Sequence, residues 1–167
     1  MASFEFITDE RFRNSLESDY AEMCKCMEAD AHKAVHVLAG SIIEALLIDC
    51  LLASGYAGHT ENELCRMDFA PLVTLCKSQS ILTQKTEDLS SVVRTYRNLI
   101  HPGRLVRLDE TVGKNGAVVA KTLVEIIVDE VAKRKRETYG YTAEQILTKV
   151  ENDISSISII SHLLRDL

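Results

Sequence analysis

The chain has 167 residues, of which 46% are apolar, with two prolines, seven glycines and a formal net charge of −6. That length can bury one sizeable core, so 1–167 is expected to be a single domain, and the apolar content excludes a disordered chain. The acidic balance excludes a broad basic surface coating nucleic acid, but not a small local basic site.

The N-terminal MASFEFITDERFR has neither a basic start nor an apolar run, so no secretory signal is expected. Thr8-Asp9 opens a first helix. Phe12, Leu16, Tyr20, Met23 and Met27 follow at spacings of three and four, one apolar face along its length. Residues 31–53, AHKAVHVLAGSIIEALLIDCLLA, predict a second long helix. Its second half is apolar nearly all round, which suits a central position. Glu44 and Asp49 interrupt this run, so it is expected to be a buried helix and not a membrane span, and no membrane partner is expected. No turn signal divides the two segments cleanly. They are one long or kinked helix, or two, with the break near residues 28–31.

Residues 54–60, SGYAGHT, form a loop with two glycines. Residues 68–78 predict a short helix with Asp68 as N-cap and Pro71 in its first turn. Residues 83–100 predict the next, carrying Leu89, Val92, Val93, Tyr96, Leu99 and Ile100 and ended by His101-Pro102-Gly103. Residues 106–117 hold a Gly-Asn turn. Residues 118–137 predict a long helix with Val119, Leu123, Ile126, Ile127 and Val131 on one face. Thr142 caps a further helix, and residues 156–164, SISIISHLL, are taken as helical. No strand pattern is convincing. Aliphatic residues build the core in the absence of tryptophan, so the class is all-α, a bundle of about five to seven helices.

The stretch RTYRNLIHPGR, residues 94–104, concentrates cations and an imidazole at one helix end. Positions three, four and seven apart share a helical face, so Arg94, Arg97, Asn98 and His101 form a polar stripe. Val92, Val93, Tyr96, Leu99 and Ile100 fall mostly on the other side. His101 precedes a proline and so sits at the helix end. The helix C-terminus favours a protonated imidazole there, while the two arginines oppose it. Guanidinium groups bind phosphate oxygens in a bidentate way, and an imidazole can take a proton from a ribose hydroxyl or donate one to a leaving oxygen. Asn98 can hydrogen-bond the substrate or the histidine. No carboxylate cluster lies beside the stripe, so neither a metal nor another cofactor is expected. On residue types alone, a solvated, C-capping helix end also accounts for the pattern.

This stretch resembles the HEPN superfamily (higher eukaryotes and prokaryotes nucleotide-binding), whose motif is Arg, four to six residues, then His, often with Asn directly after an Arg. Arg94 with His101 matches the six-residue form, and Arg97-Asn98 followed by His101 matches the Arg-Asn form with only three residues between. Either Arg94 is the motif arginine or the site is atypical. The long apolar helix before it also looks like the one preceding the motif in that family, and the resemblance covers about residues 9–137. The resemblance implies a helical bundle forming a two-fold homodimer. It also implies a metal-independent endoribonuclease that cuts single-stranded RNA to a 2′,3′-cyclic phosphate, in a toxin–antitoxin or anti-phage defence system. An antitoxin or defence-system partner follows from that setting. Non-catalytic members instead bind nucleotides or partners. In the catalytic scheme Arg94 and Arg97 hold the scissile phosphate, His101 exchanges the proton, Asn98 positions, and Arg104 adds a substrate contact.

Among the remaining candidates, Glu44 is a carboxylate in the most apolar run. It pairs with Arg94 or Arg97 and orients that guanidinium, or else lies on the exposed edge of its helix. His32 and His36 are one turn apart but lack a third ligand and an intervening glutamate, so core or surface histidines are expected there. Five cysteines (Cys24, Cys26, Cys50, Cys65 and Cys76), without a CxxC pair, point to reduced thiols and a cytoplasmic location. Lys133-Arg134-Lys135-Arg136 is taken as a solvated run favoured by a helix C-terminus; it would also lengthen an RNA path, as would Arg104 and Arg107.

Overall fold

A computed structural model describes the backbone of residues 2–98 and 113–139, and the side chains of all of these except 94–98 and 139. Six helices and no strand occur among the described residues, so the fold is an all-α bundle. The helices are α1 (Glu10–Glu28), α2 (His32–Ala53), α3 (Glu61–Leu64), α4 (Phe69–Ser78), α5 (Gln84–Asn98) and α6 (Lys114–Tyr139).

Helix α1 begins where the Asp9 carboxylate accepts from the Arg11 N–H at 2.9 Å, the N-cap expected from Thr8-Asp9. Its apolar face is the expected one: Leu16, Tyr20 and Met23 are buried, with Phe12 and Met27 packed at the edge. The break between α1 and α2 is a true reversal. Asp30 adopts φ 53°, its N–H bonds the Met27 carbonyl, and the Ala31 N–H bonds the Cys26 carbonyl at 2.8 Å. This pair of bonds is a Schellman motif, usually closed by glycine. The same motif ends α2 at Gly55 (φ 75°) and α4 at Ser80 (φ 55°). Only one of the three left-handed positions is a glycine, so the break expected near residues 28–31 and the helix end expected at residue 78 are both closed by a non-glycine residue.

Helix α2 is the axis of the bundle, packed against α1, α4, α5 and α6. It is long and apolar enough to cross a membrane by length and composition, but most of its residues are buried by these neighbours. Asp19 of α1 accepts from Ser41 of α2 at 2.7 Å, and α1 and α2 form an antiparallel hairpin. Lys114 lies 3.9 Å from Asp30 at one end of α2, and Lys135 pairs with Asp49 at the other, so α6 runs parallel to α2. The chain from Ser80 to Lys85 meets Arg134 and then Glu130, so α5 runs antiparallel to both. The N-terminal segment is also part of the core: Phe4, Phe6 and Ile7 are buried, and Phe4 meets Tyr20 edge-on at 5.9 Å.

Three expectations about elements need correction. The single turn α3 was not anticipated, although Thr60 and Glu63 form a capping box, a spacing visible in T-E-N-E. Helix α6 begins at Lys114, so Asn115-Gly116 lies inside its first turn and not in a loop. Its buried line is Ala117, Ala120, Val124, Ile127, Val128 and Val131, while Val119 is 39% exposed and Leu123 and Ile126 are half-buried. The physical reason is size: alanines let α6 approach its neighbours closely, so the packed face is not the one with the bulkiest residues. The expected helices at Thr142 and 156–164, and the part of the 106–117 loop before Gly113, lie outside the described residues.

Candidate functional site

Helix α5 starts at Thr83, whose hydroxyl accepts from the Thr86 N–H at 3.1 Å. Its buried line is Thr86, Ser90 and Val93. The Ser90 hydroxyl donates back to the Thr86 carbonyl at 2.7 Å, which satisfies a polar group inside the core. Val93 is buried as expected, but Val92 is 41% exposed and so does not join the apolar side expected for it. The backbone of Arg94, Arg97 and Asn98 falls in the last turns of α5, and the line 86, 90, 93 continues by helical spacing to position 97. The side chains of Arg94, Arg97 and Asn98, and all of His101, Arg104 and Arg107, lie outside what is described.

The helix directions decide what surrounds the end of α5. Because α5 is antiparallel to α2 and α6, its last turns lie at the end of the bundle where α2 and α6 begin. Two parallel helices therefore present their positive ends there, beside the two arginine positions of α5. Ala31, the N-cap of α2, supplies no side-chain acceptor, and the first turn of α2 contains no acid. A shallow groove at this end is lined by Asp30, His32, Lys33 and Val37. Asp30 lies 3.4 Å from the half-buried His32 and 3.9 Å from Lys114, and the Asp30–Lys114 contact is exposed on both sides and holds little energy. His36 is buried, and burial, with His32 nearby, pushes its imidazole below the ordinary value, so it is neutral at pH 7. The core-histidine expectation holds for His36, and among the described residues no group of three or more candidate ligands could hold a metal.

Glu44 is half-buried on α2, between Ile43 and Leu46, both fully buried. Its two expected partners, the Arg94 and Arg97 guanidiniums, belong to the side chains outside the description. The second carboxylate of α2, Asp49, is paired inside the core. It is 3% exposed and bonded to Lys135, whose ammonium also lies 5.8 Å from the Phe6 ring centroid. Thus Lys133–Arg136 is not simply a solvated run. Lys135 enters the core, and Arg134 donates to the Ser80 carbonyl, tying the α4–α5 turn to α6. The available signal was Asp49 itself, a second carboxylate in an apolar run, for which a buried cation is the ordinary remedy.

A second polar network joins α1 to α6. The Tyr20 hydroxyl donates to Glu125 at 2.5 Å and accepts from the Ala2 N–H at 3.2 Å, and Lys121 bonds Glu125 at 2.7 Å. Every member has a partner, so this network is structural. The cysteines Cys24, Cys26, Cys50, Cys65 and Cys76 are all free thiols. Burial pushes the Cys50 thiol up to about 12 and the Cys76 thiol higher still, so neither is a nucleophile at neutral pH. No family model, curated protein or solved structure matches this chain.

Proposed function

We propose that this chain is a HEPN-like helical protein that acts as a homodimer and cleaves single-stranded RNA without a metal, as a toxin or anti-phage effector of the cytoplasm. The observation that supports the reading best is the meeting, at one end of the bundle, of the positive ends of α2 and α6 with the arginine positions of α5. That combination suits a phosphodiester even in a protein of net charge −6. In this scheme Arg94 and Arg97 carry the charge that builds on the phosphate, His101 moves the proton, and Asn98 and Arg104 position the strand. Glu44 fixes the orientation of an arginine from the central helix.

A second reading, a non-catalytic module that binds a nucleotide or partner, is favoured by the short Arg97–His101 step and the acidic surface. The separating experiment is cleavage of an end-labelled single-stranded RNA in EDTA by nuclease-free wild-type protein and by His101→Ala, Arg94→Ala and Arg97→Ala. On the catalytic reading His101→Ala loses about a hundred-fold to ten-thousand-fold in rate while keeping most RNA affinity. Arg94→Ala loses rate and affinity and has a shallower salt dependence. Wild type that cuts nothing, or His101→Ala that cuts equally well, leaves the binding module.

A further inference from the structure

At the opposite end of the bundle from the arginine positions of α5, a cleft of about 140 Å³ opens where α2 and α4 end against the last third of α6. Its apolar wall is Cys50, Ile81 and Val131, and its polar side carries Arg134, Ser80 and Thr138. The volume is close to that of the roughly 150 Å³ cavity that accommodates a benzene-sized molecule, so a small group fits and a nucleoside does not.

The charge in this cleft comes from one residue. Lys135 also borders it, but its ammonium is neutralised by Asp49. The two helix C-termini would ordinarily make the region electronegative. Here their last carbonyls are occupied: Ser54, Gly55 and Tyr56 donate to Cys50, Leu52 and Leu51, and Gln79, Ser80 and Ile81 donate to Leu75, Lys77 and Cys76. Arg134 gives one N–H to the Ser80 carbonyl, which anchors its guanidinium at the cleft, and among the described residues no carboxylate lies within ion-pair distance of it. Among the described residues its other donors have no partner, which leaves them for a ligand. Thr138 is one turn further along α6, on the same face as Arg134, and Ser80 brings a second hydroxyl. The Cys50 thiol, held at about 12 by burial, is a wall and not a nucleophile, so the cleft is suited to binding and not to covalent chemistry.

We propose that this cleft binds a small oxyanion, a phosphate or a short carboxylate, through the Arg134 guanidinium and the hydroxyls of Ser80 and Thr138. The bound anion bridges the α4–α5 turn and α6, the contact that Arg134 already makes alone. The site is independent of the RNA-cleavage reading, because it uses none of the residues at the other end.

The test is isothermal titration of the full chain with inorganic phosphate, with acetate as a second arm and sodium chloride at matched ionic strength as the blank. Saturable binding of one phosphate or acetate per chain, absent with chloride, is expected, and the arm that titrates identifies the source of the oxyanion. Arg134→Gln should weaken it about tenfold or more, the loss of a charged hydrogen bond, and Thr138→Val a few-fold. Arg134→Lys should also lose affinity, because an ammonium lacks the planar fork. If circular dichroism shows that Arg134→Gln fails to fold, Thr138→Val and Arg134→Lys decide the matter. Neither anion titrating against wild type, or affinity unchanged in the folded variants, overturns the proposal.

Discussion

Removing the Lys135 ammonium while keeping its length, as in Lys135→Met, should expose how much the core depends on one ion pair. Asp49 is 3% exposed, so water cannot replace the lost partner. The folded protein then has two costly options. It can keep a buried, unpaired carboxylate, for which breaking a buried pair typically costs about 3–5 kcal/mol. Or it can protonate Asp49. From an ordinary value of 3.8 up to pH 7, at about 1.4 kcal/mol per pH unit, that costs about 4 kcal/mol. Both routes converge on about 4 kcal/mol, a large part of a total stability of about 5–15 kcal/mol, and on a fall in Tm of about 10 °C.

The pH dependence distinguishes this from simple loss of packing. Burial already raises the Asp49 carboxyl above its ordinary value, while Lys135 pulls it down; the variant retains only the rise. A folded-state pKa above the unfolded one gives stability that is present at low pH and lost as pH rises through the folded value. Lys135→Met should therefore recover stability between pH 7 and pH 4.5, by up to about 1.4 kcal/mol per pH unit, relative to wild type. Replacing both partners, Asp49→Leu with Lys135→Met, should restore most of the loss. Urea unfolding followed by circular dichroism at each pH measures all three proteins. A Lys135→Met variant within 1 kcal/mol of wild type (roughly the scale of an exposed pair), with no pH slope of its own, would refute the reasoning.

Ser80→Gly should stabilise by about 0.5–1 kcal/mol in chloride buffer, because Ser80 holds the left-handed φ of 55° that glycine adopts without strain, and thermal melting reads the gain. Tyr20→Phe removes a hydroxyl bonded to both Glu125 and the Ala2 N–H, and should cost about 1–2 kcal/mol in urea unfolding. Thiol alkylation followed by peptide mass spectrometry should modify the exposed Cys65 first under native conditions. The buried Cys50 and Cys76, whose thiols burial holds far above neutral pH, should react only as fast as the protein opens; labelling of Cys76 at the rate of Cys65 would contradict the placement of α4.

Local chemistry determined much of this bundle in advance. Asp9 caps α1, the spacing from Phe12 to Met27 sets its buried face, and the helix of residues 31–53, apolar nearly all round in its second half, had to be central there, because no single face could hide it. The position of Arg94, Arg97 and Asn98 along one helix was also legible, since helical periodicity is a property of the sequence alone, and their backbone does fall in the last turns of α5. Partnerships between distant residues were not. Asp49 announced that a cation must reach it, but which one depended on α6 running parallel to α2, which brings Lys135 to that depth. The packed face of α6 was likewise decided by close approach of helices through Ala117 and Ala120, where hydrophobicity alone favours Val119. The stops near residues 28–31 and at residue 78 were legible, but that Asp30 and Ser80 close them in the left-handed region was decided by the folded chain. Periodicity fixes a helix and its polarity, but only packing fixes its neighbours and their direction, and that direction puts the arginine positions of α5 beside the positive ends of α2 and α6.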